Sequence, residues 1–217
     1  MRIKKFVIGM IGTNCYVVSN ENTKECFIVD PAACDRNVIS YIETEGLSLK
    51  AILLTHGHFD HIMGIDGVRE KFQVPVYASE KEQEILQDAR LNLSAAYGGG
   101  YTFSDATYVR DGEELEIAGM KIKVIETPGH TAGGCCYYIA EEEVLFSGDS
   151  LFCASIGRTD FPTGSSSQLV RAVRDKLLVL PEDTMVYPGH MEETTIGYER
   201  KHNPFISVEK TPTSFRR

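Results

Sequence analysis

The chain has 217 residues, 42% of them hydrophobic, which is enough to bury a substantial core in one large domain spanning 1–217. Its formal net charge of -9 argues against a surface that binds nucleic acid without specificity, because such a surface needs a basic patch. The N-terminal segment lacks the apolar run of a signal peptide, and no segment has the length needed to span a bilayer, so we expect a cytoplasmic protein with neither nucleic-acid nor membrane partners.

Short segments rich in Val, Ile and aromatic residues and separated by Gly, Asn and Thr are typical of β-strands. The first part of the chain has such segments at residues 5–9, 15–19, 26–30, 50–54 and 75–78. Between the third and fourth of them, residues 36–45 are predicted to form a helix that Gly46 ends. Apolar residues from Ile62 to Phe72 recur at helical spacing, which predicts a helix beginning near Asp60, and residues 80–91 are predicted to form another.

The second part of the chain repeats the order of strands followed by helices. Strands are predicted at residues 113–117, 121–126, 135–140, 144–146 and 184–187, and helices at 168–179 and 194–201. Such an order favours two similar halves over alternating strand–helix units. It is satisfied by an α/β (α+β) fold in which two sheets pack face to face and helices cover their outer faces.

Residues 55–61, with the sequence THGHFDH, hold three of the six histidines together with an aspartate. Imidazole nitrogens and carboxylate oxygens are ligands that suit zinc, iron or manganese. Because the loop directly follows the apolar residues 51–54, its side chains would project from the end of a buried strand, which is a rigid support for a site. Alternating side chains point to opposite sides, so His56, His58, Asp60 and His61 can serve two neighbouring metals. The alternative is an exposed polar loop without metal.

Three further residues with ligand chemistry follow predicted strands. His130 and His190 each end a Pro-Gly-His tripeptide, in which proline and glycine turn the chain so that the histidine projects from the strand end. Asp149 follows the strand predicted at 144–146. The remaining histidine, His202, is interpreted as a solvent-facing residue of the last helix. The six cysteines show no zinc-type CxxC pair, so we interpret them as buried apolar residues or free thiols.

The motif THxHxDH, followed in order by His130, Asp149 and His190, resembles the metallo-β-lactamase superfamily along essentially the whole chain. The resemblance implies a four-layer αββα sandwich with a two-metal site at one edge. It assigns one set of ligands to each metal: His56, His58 and His130 to the first, and Asp60, His61 and His190 to the second. Asp149 would bridge the two.

The resemblance also implies two divalent metal ions as the cofactor, with zinc as the first choice and iron or manganese as alternatives. In such a centre the metals lie about 3.5–4 Å apart, and water between them is acidified from a pKa of ~15.7 towards neutrality. The resulting hydroxide would be the nucleophile of a hydrolase, with Asp60 and Asp149 as the catalytic carboxylates. The ligand set by itself does not determine which metal is bound.

Residues 148–152 (GDSLF) and 155–162 (SIGRTDFP), with Asn203-Pro204-Phe205, resemble the glyoxalase II (hydroxyacylglutathione hydrolase) branch, in particular its short bacterial members. That branch hydrolyses thioesters such as S-D-lactoylglutathione, so the resemblance implies a thioester hydrolase that acts on a small acyl-thiol. Full-length members add a helical domain that binds the glutathione moiety, and too few residues follow His190 to form it. The thiol carrier and the oligomeric state therefore stay open.

Other branches of the superfamily fit the residues less well. Class B β-lactamases usually have a cysteine at the second site, where this chain has Asp149, and RNase Z-type nucleases carry a basic RNA-grasping insertion. The principal alternative is a mononuclear iron persulfide dioxygenase, in which His56, His130 and Asp149 would form an open triad of two histidines and one carboxylate. A non-catalytic metal-binding module is a weaker alternative, because structural sites are normally closed and mononuclear.

Three residues near the motifs have two interpretations each. Arg158 is predicted to bind a carboxylate of the substrate, and the alternative is an internal salt bridge with Asp160. Asp30 either orients a ligand histidine or forms a surface turn. Tyr187 either lines the pocket or, as we favour, packs in the core.

Overall fold

The computed structural model of the chain describes residues 1–97 and 99–206. The strands are β1 (Arg2–Ile8), β2 (Thr13–Ser19), β3 (Glu25–Val29), β4 (Ser48–Leu53), β5 (Val76–Ser79), β6 (Thr107–Val109), β7 (Glu114–Ile117), β8 (Met120–Glu126), β9 (Cys135–Ile139), β10 (Val144–Gly148), β11 (Leu151–Phe152), β12 (Ser155–Ile156), β13 (Met185–Pro188) and β14 (Thr194–Thr195). The helices are α1 (Arg36–Thr44), α2 (Phe59–Ile62), α3 (Ile65–Phe72), α4 (Gln83–Gln87), α5 (Ser94–Tyr97), α6 (Ser166–Ala172) and α7 (Ile196–His202). A 3₁₀ turn (Glu80–Glu82) precedes α4, and a π-helical turn (Val173–Leu177) continues α6.

The strands form two large sheets, with the orders β1-β2-β3-β4-β5-β6 and β14-β13-β10-β9-β8-β7. In the first sheet, β1, β2 and β3 pair antiparallel, and β3 to β6 run parallel. In the second, β7 to β10 pair antiparallel, and β13 runs parallel to β10. As a result, β3, β4 and β5 all end at one edge of their sheet, and β8, β10 and β13 all end at one edge of theirs.

Buried side chains form one cluster between the two sheets and one under each layer of helices. Successive residues of a strand face opposite sides of the sheet, so Tyr16 belongs to the cluster between the sheets and Val17 to the cluster that contains residues of α1 and α3. Likewise, Cys135 faces the other sheet, and Cys136 packs with residues of α6 and α7. The layers are therefore α, β, β and α, and the predicted fold class is confirmed.

The helix predicted to begin near Asp60 is divided into α2 and α3. Gly64 lies between them, and its amide donates to the carbonyl of Pro31 at 2.7 Å. A Cβ atom on Gly64 would overlap the carbonyl oxygens of Pro31 and Ala33, so only glycine lets the loop after β3 approach this closely. Helix spacing in the sequence does not show this contact, because the contact comes from a distant segment.

Several predicted boundaries shift, and the shortest elements were not predicted. The helix expected over residues 80–91 is the 3₁₀ turn followed by α4, which ends at Gln87, and the one expected over 194–201 starts with strand β14 before α7 begins. The side chain of Thr195 caps α7 by accepting the amide of Tyr198 at 3.1 Å. Strands β6, β11, β12 and β14 and helix α5 have too few residues to show a period. No helix in the described residues has the length and apolar character to cross a membrane.

Phe146 packs between the two sheets, so its replacement tests that packing. Its buried ring lies 5.4 Å from Tyr16, 5.5 Å from Tyr187 and 6.4 Å from Phe27, measured between ring centroids. We expect Phe146→Ala to lower the free energy of unfolding by about 3–5 kcal/mol, because it leaves a cavity between the sheets. Urea denaturation followed by circular dichroism measures this change.

The matched control is Phe205→Ala, which removes the same ring from an exposed position. The control should change the free energy of unfolding by less than about 0.5 kcal/mol. Equal denaturation midpoints for the two variants would contradict the described core.

Candidate metal centre

The edge at which the strands end carries all seven residues predicted to bind metal. The loop with His56, His58, Asp60 and His61 follows β4, and His130, Asp149 and His190 follow β8, β10 and β13. The first sheet is fastened to the second here by Asn14, whose amide donates to the carbonyl of Gly189 at 2.7 Å and whose side chain donates to the carbonyl of Pro188 at 3.0 Å. The structure therefore brings the predicted residues of both halves into one place.

His56, His58 and His130 form the first cluster, with their ligand nitrogens all within 4.8 Å of one another. Nδ1 of His58 lies 2.9 Å from Nε2 of His130. The other nitrogen of His130, Nδ1, lies 2.7 Å from the carbonyl oxygen of Arg158, which accepts its hydrogen. With that tautomer, Nε2 of His130 keeps its lone pair directed into the cluster.

Asp60, His61 and His190 form the second cluster, again with ligand atoms within 4.8 Å. Oδ2 of Asp60 lies 3.1 Å from Nε2 of His190 and 3.3 Å from Nε2 of His61. The hydroxyl of Thr13, at the start of β2, donates to the same oxygen at 2.9 Å. One carboxylate oxygen thus faces both imidazoles of this cluster.

Asp149 lies between the two clusters. Its Oδ1 is 3.4 Å from Nε2 of His61, and its Oδ2 is 3.5 Å from Nε2 of His130 and 3.6 Å from Nε2 of His190. The two oxygens therefore face ligand nitrogens of both clusters, which is the position expected of a shared ligand. A Cβ atom on Gly189 would overlap Oδ1 of Asp149, so a larger residue here would displace this carboxylate.

The residues present fit a divalent metal. Nε2 of His56, Nε2 of His61 and Oδ1 of Asp149 are buried without a hydrogen-bond partner in the described part of the chain, and such atoms are costly unless something satisfies them. Burial, together with the neighbouring histidines, lowers the pKa of His56 well below its ordinary value and that of His58 to about 3. Both imidazoles are therefore neutral near pH 7, which is the form that binds metal.

Negative charge accumulates at the second cluster. Burial acts to raise the pKa of Asp60, but its attraction to His61 and its hydrogen bond with His190 outweigh burial, so this pKa lies well below the usual range. Burial acts to lower the pKa of His61, but Asp60, Asp30 and Asp149 raise it well above the usual range. The cluster thus stabilises positive charge. A bound divalent cation can provide this charge in place of the proton on His61.

Asp30 supports the second cluster from beneath, so the surface-turn interpretation was wrong. It is 1% exposed, and its Oδ2 lies 2.9 Å from Nδ1 of His61. The same carboxylate accepts the amide of Thr55 at 2.8 Å and its hydroxyl at 2.7 Å. A hydrogen bond at Nδ1 orients the imidazole and leaves Nε2 for a metal.

Thr13 and Asn14 were not predicted from the sequence as site residues. Both lie at the start of β2, at the end of the first sheet that carries predicted metal ligands. Thr13 contacts Asp60, and Asn14 contacts the segment around His190. No local motif marks them, because their role depends on the pairing of β2 with β3 and on the approach of the second sheet.

A cleft of about 380 Å³ opens onto the centre. Its lining includes His58, Asp60, His130, Asp149 and His190, and its walls are mainly apolar, from Ile11, Phe59, Leu93, Tyr97, Phe152 and Phe161. A larger cavity of about 580 Å³ lies among Asp111, Lys123 and Lys176 and contains none of the seven predicted ligands. Because the chemistry lies in the smaller cleft, that cleft is the candidate substrate site.

Arg158 lines this cleft and also makes the salt bridge that was its alternative interpretation. Its guanidinium donates to both carboxylate oxygens of Asp160, at 3.0 and 2.8 Å, and lies 4.2 Å from the ring centroid of Phe161. The side chain is 66% exposed, so the pair is in contact with solvent. Substrate binding by Arg158 stays a prediction.

Three minor interpretations agree with the structure. Tyr187 packs with Tyr16 and Phe146 in the cluster between the sheets. His202 is exposed at the end of α7. The six cysteines are free thiols, four of them buried, and none belongs to the candidate metal clusters of the described residues.

Residues 8–190 match the family model for the metallo-beta-lactamase superfamily. The chain belongs to this superfamily. The resemblance found in the motifs is thereby confirmed, and superfamily membership together with the buried His/Asp clusters indicates a metal-binding hydrolase.

Three similar proteins place the chain within the superfamily. The probable metallo-hydrolase YqgX of Bacillus subtilis (strain 168) is 39% identical over 209 residues, which cover 95% of this chain and 98% of the relative. The hydroxyacylglutathione hydrolase GloC of Haemophilus influenzae is 33% identical over 210 residues, which cover 95% of this chain and 99% of the relative. The crystal structure of BLEG-1 B3 metallo-beta-lactamase has a TM-score of 0.89 and 43% identity, and the match covers 95% of this chain and 100% of that one. One of these proteins is named as a hydroxyacylglutathione hydrolase and another as a β-lactamase. Superfamily membership alone therefore does not determine the substrate.

Replacing Asp60 distinguishes a two-metal centre from a one-metal centre, because its carboxylate belongs to the second cluster alone. With a metal in each cluster, we expect Asp60→Ala to lower the metal content from two ions per chain to one. Elemental analysis after dialysis against metal-free buffer measures the content. Asp175→Ala is the control, since it removes an exposed carboxylate outside the site. Equal metal content in the two variants would contradict the second site.

Proposed function

We propose that the chain is a metal-dependent hydrolase that cleaves thioesters of the glyoxalase II type, that is, acyl-thiols similar to S-lactoylglutathione, at a two-metal centre. The observation that carries this proposal is the pair of three-residue clusters joined by Asp149 at the floor of the cleft. When bound, the two ions, for which zinc is our first choice, would supply an acidified water and polarise the thioester carbonyl. Similarity to the hydroxyacylglutathione hydrolase GloC supports the same reaction.

The chain's own residues fit the remaining requirements of thioester hydrolysis. Asp60 lines the cleft and is oriented by Thr13, so we propose that its carboxylate accepts a hydrogen bond from the attacking water and orients it. The leaving group is a thiolate, whose conjugate acid has a pKa of ~8.5 and which departs without being protonated. The amine released from a β-lactam is far more basic and has to gain a proton as it departs, which a thiolate does not.

The cleft supports a small acyl-thiol substrate. Its walls carry aromatic and aliphatic side chains, including Phe59 and Leu93, which would pack against the carbon atoms of the substrate and exclude bulk water. Arg158 is the cation among the lining residues, and we propose that it exchanges Asp160 for a carboxylate of the thiol carrier. The proposed partner is therefore a small molecule, with no nucleic acid and no membrane.

The persulfide dioxygenase alternative needs one metal held by His56, His130 and Asp149. In the described residues the ligand atoms of Asp60, His61 and His190 also lie within 4.8 Å of one another, as do those of His56, His61 and Asp149. A second complete cluster is not needed by a one-metal enzyme. This observation favours the hydrolase.

A panel of substrates tests the reaction class. Zinc-loaded protein should release thiol from S-lactoylglutathione and from short-chain and benzoyl thioesters of N-acetylcysteamine, and should cleave a chromogenic cephalosporin much more slowly. A thiol-reactive dye follows the first reaction, and absorbance follows the second. Treatment with a chelator should abolish thiol release, and added zinc should restore it.

Two results of this panel would contradict the proposal. One is the absence of thiol release from every thioester, and the other is cleavage of the cephalosporin alone. Oxygen uptake with glutathione persulfide, by protein that holds one iron per chain, would establish the dioxygenase instead.

Arg158 gives a separate test of substrate recognition. Arg158→Ala should raise KM for S-lactoylglutathione about tenfold, which corresponds to the loss of about 1.4 kcal/mol from a charged hydrogen bond. KM for an uncharged N-acetylcysteamine thioester should not change. Arg174→Ala is the matched control, because Arg174 also binds the aspartate beside it and lies outside the cleft. An equal effect of Arg158→Ala on both substrates would exclude carboxylate binding by Arg158.

A further inference from the structure

Glu82 is a buried carboxylate outside both metal clusters. It ends the 3₁₀ turn after β5 and has no exposed surface. Its Oε2 accepts the amide of Gly57 at 2.7 Å. Its Oε1 accepts the hydroxyl of Thr131 at 2.6 Å and the amide of Gly133 at 2.8 Å. Three donors from two distant segments therefore converge on one side chain.

These donors lie beside the ligands of the first cluster. Gly57 is the residue between His56 and His58, and Thr131 directly follows His130. Glu82 thus joins the two segments that supply the first cluster. Within the described residues, none of its hydrogen bonds reaches a residue of the second cluster.

The sheet explains why Glu82 reaches this place. Strand β5 runs parallel to β4, so the turn after β5 lies beside the loop after β4. Ser79 starts the turn by accepting the amide of Lys81 at 3.3 Å. Both loops that donate to Glu82 pack closely against it. A Cβ atom on Gly57 would lie 3.0 Å from Oε2 of Glu82, and a Cβ atom on Gly133 would lie 2.6 Å from the backbone nitrogen of Glu82. The contact is therefore a packed junction between three segments.

In its ionised form, Glu82 suits these partners. All three are hydrogen donors, and an ionised carboxylate accepts from each without supplying a hydrogen of its own. Burial raises the pKa of Glu82 to about 7, while the bonds from Thr131, Gly57 and Gly133 act to lower it. Glutamine at this position would place an amide NH₂ against at least one donor, and the junction would lose a bond and gain a repulsion.

We propose that Glu82 is a positioning residue for the first metal site. By fixing the distance between the loop after β4 and the loop after β8, it sets the affinity of His56, His58 and His130 for their metal. Asp30 has the corresponding role under the second site, through its bond to His61. The two sites are thus supported by separate buried carboxylates. This inference rests on the two-metal centre of the proposed function and does not depend on the substrate.

Metal affinity measured site by site tests this role. Cobalt binding in competition with a chromogenic chelator is followed in two backgrounds, Asp60→Ala to isolate the first site and His58→Ala to isolate the second. Glu82→Gln should weaken cobalt binding at the first site about 10–100-fold, the usual effect of losing a group that orients a ligand. The visible absorption of cobalt in the first site should also change, and binding at the second site should stay within about threefold.

The matched control is Glu199→Gln. Glu199 is also buried and accepts hydrogen bonds from three residues, Ala154, Thr194 and Asn203, none of them adjacent to a predicted ligand. It should leave both cobalt affinities unchanged. If Glu82→Gln does not fold, Thr131→Val removes one donor at nearly constant shape and should weaken the first site by a smaller factor.

The outcomes separate this inference from the proposed function. An unchanged first-site affinity, or an equal loss of affinity at both sites, would overturn the role of Glu82. A selective loss at the first site supports it even where no thioester is cleaved, and that result would count against the thioesterase alone.

Discussion

The site depends on one constraint, the meeting of strand ends from two sheets at a single edge. Parallel pairing places the C-terminal ends of β3, β4 and β5 side by side. Strands β8, β10 and β13 share one direction, so their C-terminal ends also lie together, and they face those of the first sheet. The bond from the Asn14 amide to the carbonyl of Gly189 joins the two edges. Without this junction, the loop after β4 would have four ligand side chains and no partners from the second half of the chain.

The meeting of the two sheets at this place also buries many polar groups. Histidines and aspartates crowd a region from which water is largely excluded, and several of their atoms have no hydrogen-bond partner within the described residues. Two buried carboxylates beyond the clusters hold the loops in place, Asp30 under His61 and Glu82 between the loops of the first cluster. The arrangement is costly in the absence of cations and is satisfied when they bind.

Much of the fold and of the ligand set follows from local sequence. The longer strands show alternating or continuous apolar residues, and the histidine loop and the two Pro-Gly-His tripeptides stand out because their residue types are rare and closely spaced. The shortest strands and α5 lack enough residues to show a pattern. Gly64 breaks a helix through a contact with a loop that is distant in sequence, so helical spacing could not reveal it.

The supporting residues were harder to predict for a different reason. Glu80, Glu82 and Glu84 alternate along one segment, and the sequence does not distinguish the buried one from its exposed or half-exposed neighbours. Thr13 has no motif of its own, and Asp30 allowed two interpretations until its contact with His61 was seen. Arg158 makes the salt bridge with Asp160 and also lines the cleft, and its binding of a substrate carboxylate stays a prediction. Such roles depend on tertiary contacts that no single segment encodes.

We infer that this end of the two sheets holds two metal ions. Crystals of protein loaded with zinc, with diffraction recorded on both sides of the zinc absorption edge, test it most directly. We expect two anomalous peaks, one among His56, His58 and His130 and the other among Asp60, His61 and His190, with Asp149 between them. A single peak, or a second peak away from Asp60, would contradict it.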